Sequence, residues 1–181
     1  MGAATLFGLL LTGKTTPAAT LVNISQHLLQ TGQWEGLATQ PDAVKDVVAT
    51  TLGTHSAVTG CRKYVERQTT FRTERPCRNE WGELMPGLWA AETVMAGGRM
   101  LLVLDAMHDD PRRRKSPDAP FGVGAHACAG EGVTYRYITT ALQALTQALP
   151  AARLDTLRLP AKAHHVTFSS YDSLLVVAAK A

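Results

Sequence analysis

Charge is scarce in this sequence. Only 18% of its 181 residues are Asp, Glu, Lys or Arg, against about 25% in ordinary soluble domains. With hydrophobic residues at 45%, that composition excludes a disordered tail or a linker. The net charge is +3 and the sequence pI about 8.9. A nucleic-acid module would cluster its charge. The one dense basic run, Arg112 to Lys115, is short and follows Asp109 and Asp110, so it reads as a solvated loop and no nucleic-acid partner is expected. Long apolar runs are missing too. Leu6 to Leu11 is apolar, but Lys14 interrupts it and Pro17 follows, whereas a span needs about 20 apolar residues. No positive charge precedes Lys14, as a signal peptide would require. No membrane segment is expected, and the working place expected is cytoplasmic. Cysteine is limited to Cys61, Cys77 and Cys128, an odd count without paired spacing, which argues against a disulfide framework. There is no internal repeat and no low-complexity tract. The length suits one domain with a full core.

Hydrophobic spacing then gives the elements. Leu6, Leu9, Leu10, Leu21, Ile24, Leu28 and Leu29 recur at three and four, which predicts a helix over 3–31. Pro17 should kink it and free a carbonyl one turn earlier, and Gly32 should end it. A second helix is expected over 43–52, with Asp42 near its start and Val44, Val47 and Val48 on one face. Val58, Tyr64, Val65, Thr69, Thr70 and Phe71 suggest short strands over 56–80. Trp81 to Gly98 reads as loop, punctuated by Gly82, Pro86, Gly87, Gly97 and Gly98. Met100 to Leu104 is a strand or a helix start, and Asp109 to Phe121 a polar loop. A third helix spans 131–149, with Val133, Tyr137, Ile138, Ala141, Leu142, Leu145 and Leu149 on one stripe, and Pro150 ends it. Val166, Phe168, Leu174, Leu175 and Val176 suit a terminal hairpin.

The chemistry concentrates in Phe121-Gly-Val-Gly-Ala-His-Ala-Cys-Ala-Gly130. Gly122, Gly124 and Gly130 allow backbone turns that other residues resist. They present one thiol just before a helix, where free N–H donors and the helix dipole favour thiolate. A thiolate supported by backbone amides is what a haem iron needs as an axial ligand. The bland alternative is a buried cysteine in a Gly-rich turn. A zinc site lacks a second ligand pair at useful spacing from His126 and Cys128.

The pattern Phe-x-x-Gly-x-His-x-Cys-x-Gly resembles the haem-ligand signature of the cytochrome P-450 family, matching at Phe121, Gly124, His126, Cys128 and Gly130. Val94-Met-Ala-Gly-Gly-Arg-Met-Leu-Leu is similar to the family's "Ile-Pro-Ala-Gly-Thr" strand pair, and Ala106-Met-His-Asp-Asp-Pro111 to its "Ala-Asn-Arg-Asp-Pro". Leu10-Leu-Thr-Gly-Lys-Thr-Thr16 is similar to the oxygen-side helix, "Leu-Ala-Gly-x-Glu-Thr-Thr". The resemblance covers only the C-terminal half of a typical member. It implies a mainly α, α+β fold with small β-sheets. It also implies one shortened domain over 1–181: distal-type helix and following helix (1–52), strands and loops (53–110), cysteine loop and helix (111–150), and C-terminal hairpin (151–181).

The departures are specific. The family acid before the distal threonine falls on Thr15, the threonine itself is Thr16, and Pro17 follows. The family's Glu-x-x-Arg pair falls on Asp46 to Ala49, so its arginine is missing and the scaffold beneath the haem is rebuilt. The meander is shortened to Arg112–Pro120.

By that resemblance the cofactor is haem b, with Cys128 as the metal ligand. His126 meets a propionate or packs its loop. Arg62 binds a propionate or is an exposed strand residue. Phe121 packs near the sulfur. Thr16 donates to an oxygen ligand or back-bonds to its own helix, beside Thr15. Lys14 is solvated or faces an open distal site. His108 is structural, His164 and His165 are surface residues, and Tyr135 and Tyr137 are ordinary helix residues. The activity implied is haem-thiolate chemistry, oxidative or peroxide-dependent, on a small-molecule or carrier-bound substrate. A homodimer or a partner protein is expected to cover the haem, because an open macrocycle is a large apolar patch. The alternatives are an isomerase or dehydratase needing no dioxygen, and a non-catalytic auxiliary protein acting by contact. A haem sensor or electron carrier is a third, without a visible signalling segment.

Overall fold

The structure is a computed structural model. It describes residues 3–178 apart from 79, 82–83, 105–118, 159–160, 165–166 and 172, with backbone alone at 3–11, 72–78, 84–90, 119, 126 and 164. Expectations for Ala106–Pro111, His108, Arg112–Lys115, His165 and Val166 lie outside the described residues. The chain divides into two compact units, residues 1–60 with 103–181, and residues 61–102.

The first unit is built on helices. Helix α1 (Ala3–Gln30) runs unbroken through Pro17. It ends at Gly32, whose φ of 72° reverses the chain. There the Gln33 N–H donates to the Leu28 carbonyl at 3.0 Å, as a Schellman stop requires. A short helix α2 (Trp34–Thr39), which the periodicity does not reveal, leads to a 3₁₀ turn at Pro41–Ala43 and to α3 (Val44–His55). Helix α4 (Glu131–Ala148) closes the group. Ile24 and Leu28 of α1, Val44, Val48 and Leu52 of α3, and Ile138 and Leu142 of α4 form one buried cluster with Trp34 and Leu37.

Three side chains lace α4 to the segment around α2 and α3 through main-chain carbonyls. Trp34 Nε1 donates to Leu149 at 2.8 Å, Gln143 Nε2 to Pro41 at 3.0 Å, and the Tyr135 hydroxyl to Lys45 at 3.1 Å. Burial, and then the Asp46 carboxylate, push the Tyr135 phenol above its ordinary range. Either way the proton that makes the Lys45 bond stays on.

The stripe expected of α4 needs correction. Ile138 and Leu142 are buried, but Val133, Tyr137 and Leu145 are 74%, 47% and 37% exposed. At 100° per residue those positions straddle two faces of the helix, and only one meets α1 and α3.

The tail partly departs from a simple hairpin. Strand β6 (Lys162–His164) pairs antiparallel with β7 (Ser169–Tyr171). Leu174 and Leu175 lie outside that hairpin, and β8 (Val176–Val177) pairs with β5 (Arg153–Leu154) instead. Polar residues buried on α1 hold the tail directly and through Ala57: Asn23 Nδ2 donates to the Ser169 carbonyl at 3.0 Å, while Thr20 Oγ1 accepts the Ala57 N–H at 3.0 Å and the Ala57 carbonyl accepts the Ser169 N–H at 2.8 Å. Just after β5, Asp155 accepts the Leu157 N–H at 3.0 Å and the Arg158 Nε at 2.7 Å.

The second unit is made of strands. Strand β1 (Gly60–Tyr64) pairs with β4 (Arg99–Val103), and β2 (Thr69–Arg78) pairs with β3 (Leu84–Val94). The loop expected over 81–98 is therefore mostly strand. Its prolines and glycines misled the reading for a visible reason. Arg75 faces Leu88 and Cys77 faces Met85, so Pro76 sits opposite Pro86 and Gly87 in a bulge. A bulge is where a ladder tolerates residues without an N–H.

Two outcomes test this packing. Leu142→Ala should cost about 3 kcal/mol, as buried leucine truncations do, while Leu145→Ala should cost well under 1 kcal/mol. Urea unfolding followed by tryptophan fluorescence measures both. The Arg158 hydrogen bond holds the Asp155 carboxyl below the usual carboxylate range, against the opposing effect of burial. A depressed folded value gives stability that is full above the unfolded value of about 3.9 and is lost as pH falls through the folded one. Asp155→Asn should therefore lose stability at neutral pH, and its deficit against the parent should shrink in urea titrations below pH 4.

Candidate functional site

The cysteine loop is built by short turns. A 3₁₀ turn at Ala119–Phe121 precedes Gly122, and a second one covers Gly124–His126. Gly122 and Gly124 have φ of 71° and 75°, a left-handed backbone that costs other residues roughly 1–2 kcal/mol. Between them Val123 is extended. The Cys128 N–H donates to the Phe121 carbonyl at 2.8 Å and closes the loop. The Cys128 carbonyl accepts the Glu131 N–H at 3.3 Å and joins it to α4. Both main-chain polar groups of Cys128 are thus committed, which fixes its Cα against the helix start.

Phe121 packs against the buried cluster of the first unit. Cys128 is exposed and free. The loop is consequently anchored at one end by a ring and presents its thiol at the other, and Val123, between them in the chain, is 74% exposed. Gly130 lies at the helix N-cap. A Cβ added there would stand 3.7 Å from Cys128 Sγ, at ordinary contact distance.

The other candidates lie apart in the chain. Thr15 is exposed and Thr16 half-buried on α1, after the exposed Lys14. The hydrogen bonds that shape the cysteine loop involve neither threonine. His126 contributes its backbone to the second 3₁₀ turn. Arg62 is exposed on β1, in the other compact unit. It lines a hollow of about 400 Å³ with Lys63, Tyr64, Arg99, Met100 and Leu101, and the Arg99 guanidinium lies 5.6 Å from the Tyr64 ring centre. The sequence reading singles out Arg62 alone. Lys63 adjoins it on β1, and Arg99 joins it only through the β1–β4 pairing, whose register no local pattern fixes. Asp46 and Ala49, at the place of the family's acid–arginine pair, are both exposed.

No family model matches the chain, and no curated protein matches it. Solved structures do. CYP164A2 of Mycobacterium smegmatis, solved with econazole bound, superimposes with a TM-score of 0.74 at 28% identity, over 97% of this chain and 42% of that one. This is a cytochrome P450-like chain. The cytochrome P450 PksS of the Bacillus subtilis 168 bacillaene polyketide synthase gives a TM-score of 0.76 at 20% identity, over 98% of this chain and 45% of its own. An intact type IV self-sufficient cytochrome P450 monooxygenase gives 0.70 at 21%, over 98% and 23%. The chain therefore spans less than half the length of these P450 structures, and the mix of helices and small two-stranded sheets is that of a truncated P450 fold. Among the described residues, no helix is long and apolar enough to cross a membrane.

Haem is the group a P450 fold holds, and the donor set here fits it. A bare metal ion needs several protein ligands. Among the described residues no three His, Cys, Asp or Glu side chains are grouped to hold one. A porphyrin iron brings four nitrogens of its own and asks the protein for a single axial donor. One exposed thiol, on a loop closed by its own main-chain hydrogen bond, meets that demand.

The two loop glycines separate backbone need from steric need. Gly124→Ala should lower stability by at least 1 kcal/mol, because its φ is positive. Gly130→Ala should be tolerated within about 0.5 kcal/mol. Paired thermal melts of the two variants measure the difference.

Proposed function

We propose that this chain is a haem-thiolate protein in which Cys128 gives the axial thiolate to haem b, and that it performs oxidative or peroxide-dependent chemistry on a small-molecule or carrier-bound substrate. The observation that carries the reading is the exposed thiol of Cys128, held by its N–H bond to the Phe121 carbonyl just before α4. Bound haem supplies the redox chemistry. The chain's residues supply position. The closed loop sets where Sγ points, and the committed Cys128 backbone keeps that direction from drifting. His126, on the cysteine loop itself, is the candidate partner for a propionate. The Thr16 hydroxyl is the candidate to hold a proton on the substrate side. Thr15 stands where the family carries an acid, so no carboxylate is present there to deliver protons for dioxygen chemistry. Hydrogen peroxide brings oxygen, protons and electrons together, which favours it as oxidant. An exposed thiol and an exposed Val123 on one loop favour a second copy or a partner protein over the haem. The free thiols of Cys61 and Cys128 suit a cytoplasmic setting.

A second reading rests on a different observation. Ala49 is an exposed alanine at the place of the family's arginine. The loss of that tie favours an auxiliary P450-like protein that acts on another enzyme by contact. An isomerase or dehydratase that needs no dioxygen would equally dispense with the acid at Thr15.

The deciding experiment is the absorption spectrum of haem-reconstituted protein, reduced with dithionite under carbon monoxide. A Soret band at the thiolate-ligated position, lost in Cys128→Ala, is the expected result. Protein that retains no haem, or a spectrum that Cys128→Ala leaves unchanged, sinks the haem-thiolate reading and leaves the contact-acting one.

A further inference from the structure

Among the described residues, strand β4 pairs with β1 alone. The Val65 N–H donates to the Gly98 carbonyl at 3.0 Å, and the Leu104 N–H to the Thr59 carbonyl at 2.7 Å. Both bonds give the same antiparallel register, with Tyr64 opposite Arg99 and Arg62 opposite Leu101. Main-chain groups along such a ladder point alternately to either side. Met100 and Leu102 therefore bond toward β1, and the N–H and C=O groups of Arg99, Leu101 and Val103 point outward.

The two rims of this ribbon differ in chemistry. On β1 the outward residues are Gly60, Arg62 and Tyr64, with Lys63 among them. Such charges are how soluble sheets deter a further strand. Strand β4 carries none of those devices after Arg99. Met100 to Val103 holds no charge and no proline, and the constant register leaves no bulge. Leu101, Leu102 and Val103 are 44%, 41% and 49% exposed.

The sequence of β4 selects its occupant. Laid antiparallel on itself about a twofold axis at Leu101, the strand sets Arg99 opposite the partner's Val103. The two Arg99 positions then stand about 13 Å apart along the strands. The Arg99 guanidinium lies over the Tyr64 ring at 5.6 Å, on the β1 side of its own strand. The same operation on β1 would bring two copies of Arg62 together. Pairing β4 of one copy with β1 of the next would leave a rim open and grow without end, whereas β4 on β4 closes at two and leaves only charged rims outside.

We propose that β4 is the rim through which two copies of this chain associate, giving a four-stranded antiparallel sheet in the order β1-β4-β4-β1 with its twofold axis at Leu101. This pairing depends on the β1–β4 register and not on haem binding. Five residues a side bury less than the about 800 Å² per partner of a standard interface, so the dimer is expected to form with rising concentration.

Sedimentation equilibrium of the full chain over a range of concentrations is the test. A monomer–dimer equilibrium is expected. Leu101→Lys sets two like charges on the axis and should weaken it at least tenfold. Val103→Glu sets a carboxylate opposite the partner's Arg99 and should tighten it about threefold at low salt. Adding Arg99→Glu to Val103→Glu should reverse that gain, and Lys63→Gln on β1 should change nothing. Residues 101 and 103 are exposed, and circular dichroism of each variant checks that it folds. A chain that stays monomeric, one that grows beyond two copies, or a dimer that Leu101→Lys leaves intact overturns the proposal. So does a dimer that Val103→Glu weakens, since an unregistered apolar contact would respond that way. None of these substitutions lies in the cysteine loop, so the carbon monoxide spectrum stands or falls separately.

Discussion

The site depends on one packing constraint: the Ile138 and Leu142 side of α4 must be buried against α1 and α3. Ile24, Leu28, Val44 and Val48 complete that contact and are fully buried with it. Cys128 lies three residues before α4, with its carbonyl bonded to Glu131. Whatever fixes the roll and tilt of α4 therefore aims the thiol. The hydrophobic contact supplies most of the energy but little orientation, because apolar surfaces slide. The three hydrogen bonds from Trp34, Gln143 and Tyr135 supply the direction, since each joins a particular side chain to a particular carbonyl. Phe121 secures the far side of the loop to the same core.

This arrangement bears on the missing arginine. In the resembling family an acid–arginine pair ties the scaffold beneath the haem, and here Ala49 cannot form it. The link between α3 and α4 through Tyr135 and the Lys45 carbonyl lies on the same helix, within one turn of Asp46. A neutral phenol–carbonyl bond needs no buried charge, so it avoids the desolvation that a buried ion pair incurs.

Legibility followed periodicity and motif. The helices over 3–30, 44–55 and 131–148 show in the sequence because each carries a long apolar stripe, and the cysteine loop shows because its glycines are set by backbone geometry, two of them at positive φ. Helix α2 stays hidden because its six residues are too few for a period. Strand β3 hides behind Pro86 and Gly87, whose meaning changes once Pro76 is seen across from them. The two sides of α4 are also illegible, since an apolar residue looks the same whether its own chain covers it or not. Pairings between distant segments, such as Arg99 with Arg62, carry no local signature at all.

The bulge in the β2–β3 ribbon has a consequence beyond its register. Among the described residues, strands of 10 and 11 residues that pair only with each other leave two long outer edges. Such edges are templates for stray chains, and an uninterrupted ribbon of this length would recruit them. Pro76 and Pro86 each lack a donor toward the Arg78–Leu84 end of the ribbon, and the bulge changes the twist at the same place. A foreign strand would meet that break before it covered the full length of either side, so neither edge offers a whole strand as a template.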